Sequence, residues 1–354
     1  MARFRFFLSL PTPAHIEIWP PASGLHFFLP IFAETTPHLK EINGSEARKA
    51  IIWKSTGSWY RAEMPDGVIL DCRLKGKLKL SQSGATNPVA VGDEVLVEPE
   101  PGQPGKGLIT SILPRRNYLI RKSVHKTAHA QILASNLELV LVIASLTLPR
   151  TSLGFIDRLL VSAESYGIPA AIVFNKSDLL QAEELEYAEL LVQMYRSIGY
   201  GACIVSVKEG LGIDTVEELL EGNTTLISGH SGVGKSSLVN AICPGLNIET
   251  QEISAFANKG KHTTTFAEMH RINSTTRIID TPGIKELGLH EMEDDPLSHY
   301  FPEMRPFAEH CRFYNCIHVH EPGCAVLAAL EDGRLPLTRY ESYLSMLADE
   351  DNRR

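Results

Sequence analysis

The chain has 354 residues, a net charge of -8, and 44% hydrophobic and 21% charged residues. These are values of an ordinary folded protein, and they exclude wholesale disorder, a fibrous repeat and a surface that is basic throughout. The length leaves room for two or three domains, and the longest apolar runs, near 137–148 and 170–174, are far shorter than a membrane crossing.

In chain order, residues 1–41 come first as a poorly structured extension. Phe4, Phe6, Phe7 and Leu8 resemble a short signal core, but Pro11, Pro13, His15 and Glu17 interrupt it and no small-residue cleavage site follows. An upstream choice of start codon would add such a segment. From 42 to 118 the pattern is one of short β-like runs at 50–53, 59–63, 68–73, 94–98 and 107–113, separated by turn residues such as Pro65-Asp66-Gly67 and Val91-Gly92-Asp93. Five short strands at this spacing predict a small all-β barrel of the oligonucleotide-binding (OB-fold) type. The basic charge is concentrated nearby. Between Asp71 and Ala130 ten Lys or Arg stand against five Asp or Glu, a local balance of +5. Arg73, Lys75, Lys77 and Lys79 alternate along one predicted strand face, and Arg115, Arg116, Arg121 and Lys122 follow the last strand. Such charges suit contacts to RNA phosphates.

Between 119 and 290 the rhythm changes to continuous apolar strands alternating with amphipathic helices, the mark of a parallel sheet covered on both faces. Strands are predicted at 137–144, 170–174, 203–205, 224–228 and 276–279, with helices at 154–166, 183–198, 214–220 and 237–242. Residues 291–354 read as a third, small module with a helix at 337–347.

The sharpest motif is Gly229-His230-Ser231-Gly232-Val233-Gly234-Lys235-Ser236, followed by Ser237, between a predicted strand and a predicted helix. This is a phosphate loop: its glycines let backbone N–H groups face the phosphates, Lys235 reaches the β- and γ-phosphates, and the Ser236 hydroxyl holds Mg²⁺. Asn175-Lys176-Ser177-Asp178 follows another strand. The Asp178 carboxylate can accept from guanine N1–H and the exocyclic amine, a pattern adenine lacks, while Asn175 fixes the loop and the Lys176 stem covers the base. Ser206-Val207-Lys208 after the next strand matches a supporting loop that contacts guanine through its backbone.

Downstream, Asp280-Thr281-Pro282-Gly283 ends a strand and would set Asp280 near Mg²⁺ through water and the Gly283 amide near the γ-phosphate. Between these motifs, Thr263, Thr264 and Thr265 supply hydroxyls for a nucleotide-sensitive segment, Thr264 being the candidate catalytic one. The position after Gly283, where many GTPases carry a water-orienting Gln, is Ile284. Slow intrinsic hydrolysis is therefore expected, with His262 the local candidate to orient water. The order of motifs is circularly permuted: base loops first, phosphate loop after them. The sites survive because all the loops lie at carboxyl ends of parallel strands. The new wiring leads from the Asp280 loop straight into the C-terminal module, which predicts that hydrolysis swings that module as a unit.

In that module Cys311, Cys316, His318 and Cys324 offer three thiolates and an imidazole, a closed set suited to one structural Zn²⁺, with His320 as the alternative imidazole. With no export signal, metal binding is favoured over disulfides.

Together these residues resemble the circularly permuted GTPases of the ribosome small-subunit-dependent GTPase A family. The resemblance covers Arg73 to Lys79, Val91 to Asp93, Asn175 to Asp178, Gly229 to Ser237, Lys261 to Thr265, Asp280 to Gly283 and Cys311 to Cys324. Departures are the unmatched first 40 residues and Lys261, where Arg is commoner. The resemblance implies a cytoplasmic monomer that acts late in small ribosomal subunit maturation. It further implies GTP hydrolysis to GDP stimulated by the subunit, with barrel and zinc module contacting ribosomal RNA. Two other readings make different predictions. A nucleotide-switched RNA-binding module with incidental turnover predicts no rate stimulation, and an ATP-dependent enzyme predicts that Asp178 is irrelevant to nucleotide choice.

Overall fold

The computed structural model describes residues 47–76, 88–121, 131–246, 267–280 and 296–348, and of Arg121 and Gln131 the backbone alone. His262, Thr264 and Gly283, with Lys77, Lys79 and Lys122, lie outside the described residues.

Five strands form the first architectural unit: β1 (Arg48–Ser55), β2 (Tyr60–Glu63), β3 (Ile69–Leu74), β4 (Glu94–Pro99) and β5 (Lys106–Ile112). They run in the order β1-β2-β3-β5-β4, and β4 pairs back onto β1, so the sheet closes into the expected barrel. Along β3 exposed and buried positions alternate strictly. Leu70, Cys72 and Leu74 join Ile52, Val95, Val97 and Ile109 inside, while Asp71 and Arg73 point out. A hairpin of β6 (Tyr118–Arg121) and β7 (Gln131–Ser135) follows.

The nucleotide half is a parallel sheet of β8 (Leu139–Ala144), β9 (Ala170–Phe174), β10 (Gly201–Ile204), β11 (Thr224–Ser228) and β13 (Arg277–Asp280), in the order β10-β9-β8-β11-β13. Antiparallel β12 (Glu268–Arg271) lies outside β13 and pairs with barrel strand β1, joining both halves into one eleven-stranded sheet. Helices cover both faces, as continuous apolar strands require. Val140, Val142 and Ala144 of β8 face α1 (Leu153–Ser165) and α2 (Ala182–Ser197). Leu139, Leu141 and Ile143 face α3 (Ile213–Leu220) and α4 (Lys235–Ile242).

The C-terminal residues add α5 (Arg305–Ala308), α6 (Ala325–Glu331) and α7 (Leu337–Leu347). Their core of Phe301, Met304, Val326, Leu335 and Tyr343 also takes in Val161 of α1. The module is thus seated on the nucleotide half by side-chain packing as well as tethered to it by the chain. No described helix is long and apolar enough to cross a membrane.

Candidate functional site

Backbone register decides what meets what. Ala144 is paired with Phe174, Phe174 with Ile204, Ser228 with Val142, and Ile227 with Asp280. The segments that follow β9, β10 and β11, and Asp280 at the end of β13, therefore emerge along one edge, although they are spread over more than a hundred positions of sequence. This edge is the carboxyl end of a parallel sheet, the usual site of ligand binding in open α/β folds.

Two loops are already fastened to each other there. Asn175 is buried, and its Nδ2 donates to the Val233 carbonyl in the phosphate loop at 2.9 Å, while Val207 N approaches its Oδ1 at 3.4 Å. Asn175 comes so close that a Cβ on Gly234 would stand 2.3 Å from its Nδ2, and Gly234 itself has φ +96°, a region L side chains rarely adopt. Gly229 is equally constrained: a Cβ there would meet the Ile143 carbonyl at 2.2 Å. Two glycines of the motif are thus required by a neighbouring strand, at Ile143, and a neighbouring loop, at Asn175, as well as by any phosphate.

Asp178 sits in a short 3-10 turn, Ser177–Leu179, with its side chain only 6% exposed. Ser206 Oγ donates to one carboxylate oxygen at 2.8 Å, and Lys208 Nζ stands 3.7 Å from the other. The second base loop therefore orients the carboxylate of the first. Lys176 adopts φ +69° and donates from Nζ to the Leu148 carbonyl at 2.7 Å. Burial lowers its pKa, and the Asp178 charge opposes the shift. In the phosphate loop, Lys235 Nζ donates to the Gly229 and His230 carbonyls at 2.8 Å each. Burial lowers its pKa too, with Asp280 acting in the other direction. Ser236 and Ser237 open α4 directly behind it. A lysine and a hydroxyl at a helix start, facing an aspartate, can hold a phosphate chain with its counter-cation.

Sequence reasoning did not anticipate the Leu148 carbonyl or the stacking of His230 on Phe155, whose ring centroids are 3.8 Å apart. Nothing in the local pattern at 148 or 155 signals a contact with loops some 30 and 75 residues away.

The cysteine–histidine cluster forms as a second site. Cys311 and Cys324 Sγ are 3.8 Å apart, and His318 Nδ1 lies 3.5 and 3.4 Å from them. With Cys316, the four donor atoms fall within 4.8 Å of one another. Zinc–sulfur bonds of about 2.3 Å at tetrahedral angles give a sulfur–sulfur spacing of about 3.8 Å, so the donor set can hold zinc. His320 is exposed and outside the cluster. His318 adopts φ +58°, and around it Glu321 accepts from the N–H groups of Ile317, Val319 and His320 at 2.7, 2.9 and 3.1 Å. Burial works against the Glu321 charge, but these backbone donors bring its pKa down to about 2. Burial pushes the Cys316 thiol up to about 12 in the absence of metal and lowers the His318 pKa.

Within the basic stretch, one residue needs correction. Arg115 does not extend toward solvent: its guanidinium bonds buried Asp93 at 2.6 and 2.7 Å and the Pro88 carbonyl at 3.0 Å. Asp93 also accepts from Ser135 Oγ at 2.6 Å and Ala90 N at 2.8 Å, so this pair fastens barrel to hairpin. A carboxylate without solvent needs a cation, and Arg115 is the one it has. Arg116 pairs with Glu138, and Lys75 with Glu98 at 3.2 Å. Arg73 lies over the Trp59 ring at 3.9 Å, and β3 ends at Leu74, before Lys75.

Comparison with known proteins agrees with this geometry. The RsgA GTPase family profile matches residues 112–290, and the RsgA N-terminal domain profile matches 49–109. A Bacteroides thetaiotaomicron protein named small ribosomal subunit biogenesis GTPase RsgA 2 is 46% identical over 303 residues, 86% of this chain and 97% of that one. A Cytophaga hutchinsonii protein named small ribosomal subunit biogenesis GTPase RsgA is 49% identical over 306 residues, covering 86% and 100%. The crystal structure of YjeQ from Thermotoga maritima superposes with a TM-score of 0.70 at 32% identity, covering 87% of this chain and all of that one. That of YloQ, described as a circularly permuted GTPase, gives 0.66 at 25% identity, covering 89% and 99%. With base loops ahead of the phosphate loop, a closed barrel before them and a Cys₃His cluster after, this chain belongs to the RsgA GTPase family.

Proposed function

We propose that this protein hydrolyses GTP to GDP during late maturation of the small ribosomal subunit, and that the subunit accelerates the reaction. The observation that carries the guanine assignment is the Asp178 carboxylate, almost buried and held by Ser206 at 2.8 Å beside the Asn175 bridge to the phosphate loop. The names of the relatives support the ribosomal role.

Each residue then has a part. Asp178 reads the guanine edge, Lys176 covers its face, and Ser206, Val207 and Lys208 brace the reader. Gly229 to Gly234 wrap the phosphates, Lys235 leaves its carbonyl partners for the β- and γ-oxygens, and Ser236 with Asp280 holds Mg²⁺, which when bound neutralises charge developing on the phosphates. Thr264, Gly283 and His262, outside the described residues, remain our candidates for the γ-phosphate side and for orienting water. Cys311, Cys316, His318 and Cys324 hold one Zn²⁺ in a closed structural site. We further propose the division 1–41, 42–118, 119–290 and 291–354, ribosomal RNA as the ligand of barrel and zinc module, and a cytoplasmic monomer.

The test is phosphate release from GTP and from ATP, with and without purified small ribosomal subunits. GTP should be preferred, turnover alone should be slow, and subunits should raise it. An Asp178→Asn variant should lose about 10- to 100-fold in GTP affinity, the worth of a charged hydrogen-bond pair. Equal rates with ATP would refute the guanine assignment. GTP-dependent RNA binding without rate stimulation would favour the binding-module reading instead.

A further inference from the structure

Helix α1 touches the nucleotide site with one face and the C-terminal module with another. Near its start, Phe155 is buried, and its ring lies 3.8 Å from that of His230, with the planes 27° apart. His230 is a phosphate-loop residue whose carbonyl receives Lys235. The loop is thus gripped twice at one residue: the main chain restrains the lysine and the ring rests on α1.

Asp157, Val161 and Glu164 follow at helical spacing on the other face. Asp157 Oδ1 accepts from Arg339 Nη1 at 2.6 Å, Val161 enters the module's apolar core, and Glu164 accepts from Arg305 at 2.6 Å. Arg339 has no exposed side-chain surface, and Glu303 takes its Nε at 2.6 Å. The same Asp157 receives the Ser342 hydroxyl at 2.5 Å and the Tyr195 hydroxyl at 2.9 Å. Helix α7, which carries Arg339, donates from the Tyr340 and Tyr343 hydroxyls to the His318 and Ile317 carbonyls at 2.8 and 2.6 Å. An unbroken series of contacts therefore runs from the cysteine–histidine cluster to the phosphate loop, without using residues 281–295.

We propose that Phe155 is a positioning residue for GTP hydrolysis, holding the phosphate loop through His230. We infer that α1 passes the seating of the C-terminal module to that loop through the Asp157–Arg339 pair. The inference rests on the reading above that the subunit stimulates turnover, and it names the route of that stimulation. A packed helix moves as a body. Asp157 lies about 3 Å along the axis from Phe155, so a change of seating at one is delivered to the other. The buried pair has no solvent to replace a lost partner, which makes the seating all-or-none.

Two readouts on the full chain test this. In GTPase assays with small subunits, Phe155→Leu should lower stimulated kcat about tenfold with KM for GTP within about twofold, and Phe155→Tyr, which keeps the stack, should restore it. In hydrogen exchange on the protein alone, Ser342→Ala and Arg339→Lys should raise amide exchange in residues 229–236 several-fold. Ser342→Ala leaves the ion pair in place, so it reports even where Arg339→Lys weakens folding. Unchanged stimulation in Phe155→Leu, or exchange changes confined to α1, α7 and Glu303, would overturn the proposal. Wild-type protein indifferent to subunits would instead refute the ribosomal reading, and the exchange experiment would still decide the coupling.

Discussion

The barrel and the C-terminal module are joined to the nucleotide half by different physics. The barrel joins partly through main chain, β1 pairing with β12 at Lys54 and Glu268, whose side chains form a 2.5 Å ion pair while about 30% exposed, and partly through buried Asp93, which accepts from Ser135 of the hairpin. The C-terminal module joins through side chains removed from water, Arg339 against Asp157 and Glu303, beside a shared apolar core. Partly exposed pairs are screened and contribute little, so strand register fixes how β1 meets β12 and the Lys54–Glu268 pair adds only a modest hold. A buried pair contributes little net stability either, yet losing one partner strands a charge in a dry interior. The Lys54–Glu268 contact should therefore tolerate substitution, and the Arg339–Asp157 contact should not.

The largest test of that contrast removes the metal. Cys316→Ser should yield protein without bound zinc whose C-terminal module is unfolded, because metal binding of about 10 kcal/mol or more is folding energy in such sites. Metal content and proteolysis of residues 296–348 read this out, and a zinc-free protein with an intact module would refute the assignment. Next, Asp157→Ala should cost about 3–5 kcal/mol in denaturant unfolding, whereas Lys54→Met should cost within about 1 kcal/mol. Equal costs would erase the distinction between the two pairs.

The smallest effect concerns acid. Glu321 has a folded pKa of about 2 against an ordinary 4.5, so the stability from its ionised form is complete above about 4.5 and is lost as pH falls through about 2. Glu321→Gln should shift acid unfolding of the module to higher pH. Trp53 and Trp59 lie in or beside barrel strands, and none of the three tryptophans of the chain falls in 296–348, so their fluorescence should not follow. A barrel transition that moves with the module's would show the two to be one cooperative unit.

Much of this architecture is legible in the sequence where burial is complete. Strands 170–174 and 224–228 and helix 337–347 fall where apolar pattern and flanking turn residues put them, since a strand covered on both faces must be apolar throughout. The polar β12, Glu-Met-His-Arg, carries no such pattern and is held by partners on both sides. The β6–β7 hairpin and the Cys-capped helix α6 also escape notice, their pairing and cap lying outside any local window. In the site, motif spacing reveals the loops, but not what orients them. Arg115 looks like an RNA-facing charge until Asp93 is seen beneath it. Asp157 and Arg339 are 182 positions apart, and no periodicity joins them.

The sheet order β10-β9-β8-β11-β13 also has a temporal reading. Because a chain leaves its ribosome amino end first, β8, β9 and β10 emerge as three spatial neighbours, and pair locally before β11 exists. On the proposed assignment the guanine-reading edge is made before the cradle for phosphates, and β11 inserts beside β8 after some 80 residues have intervened. The phosphate loop at 229–236 is therefore made after the loops that follow β9 and β10. An ordinary GTPase makes these parts in the opposite order.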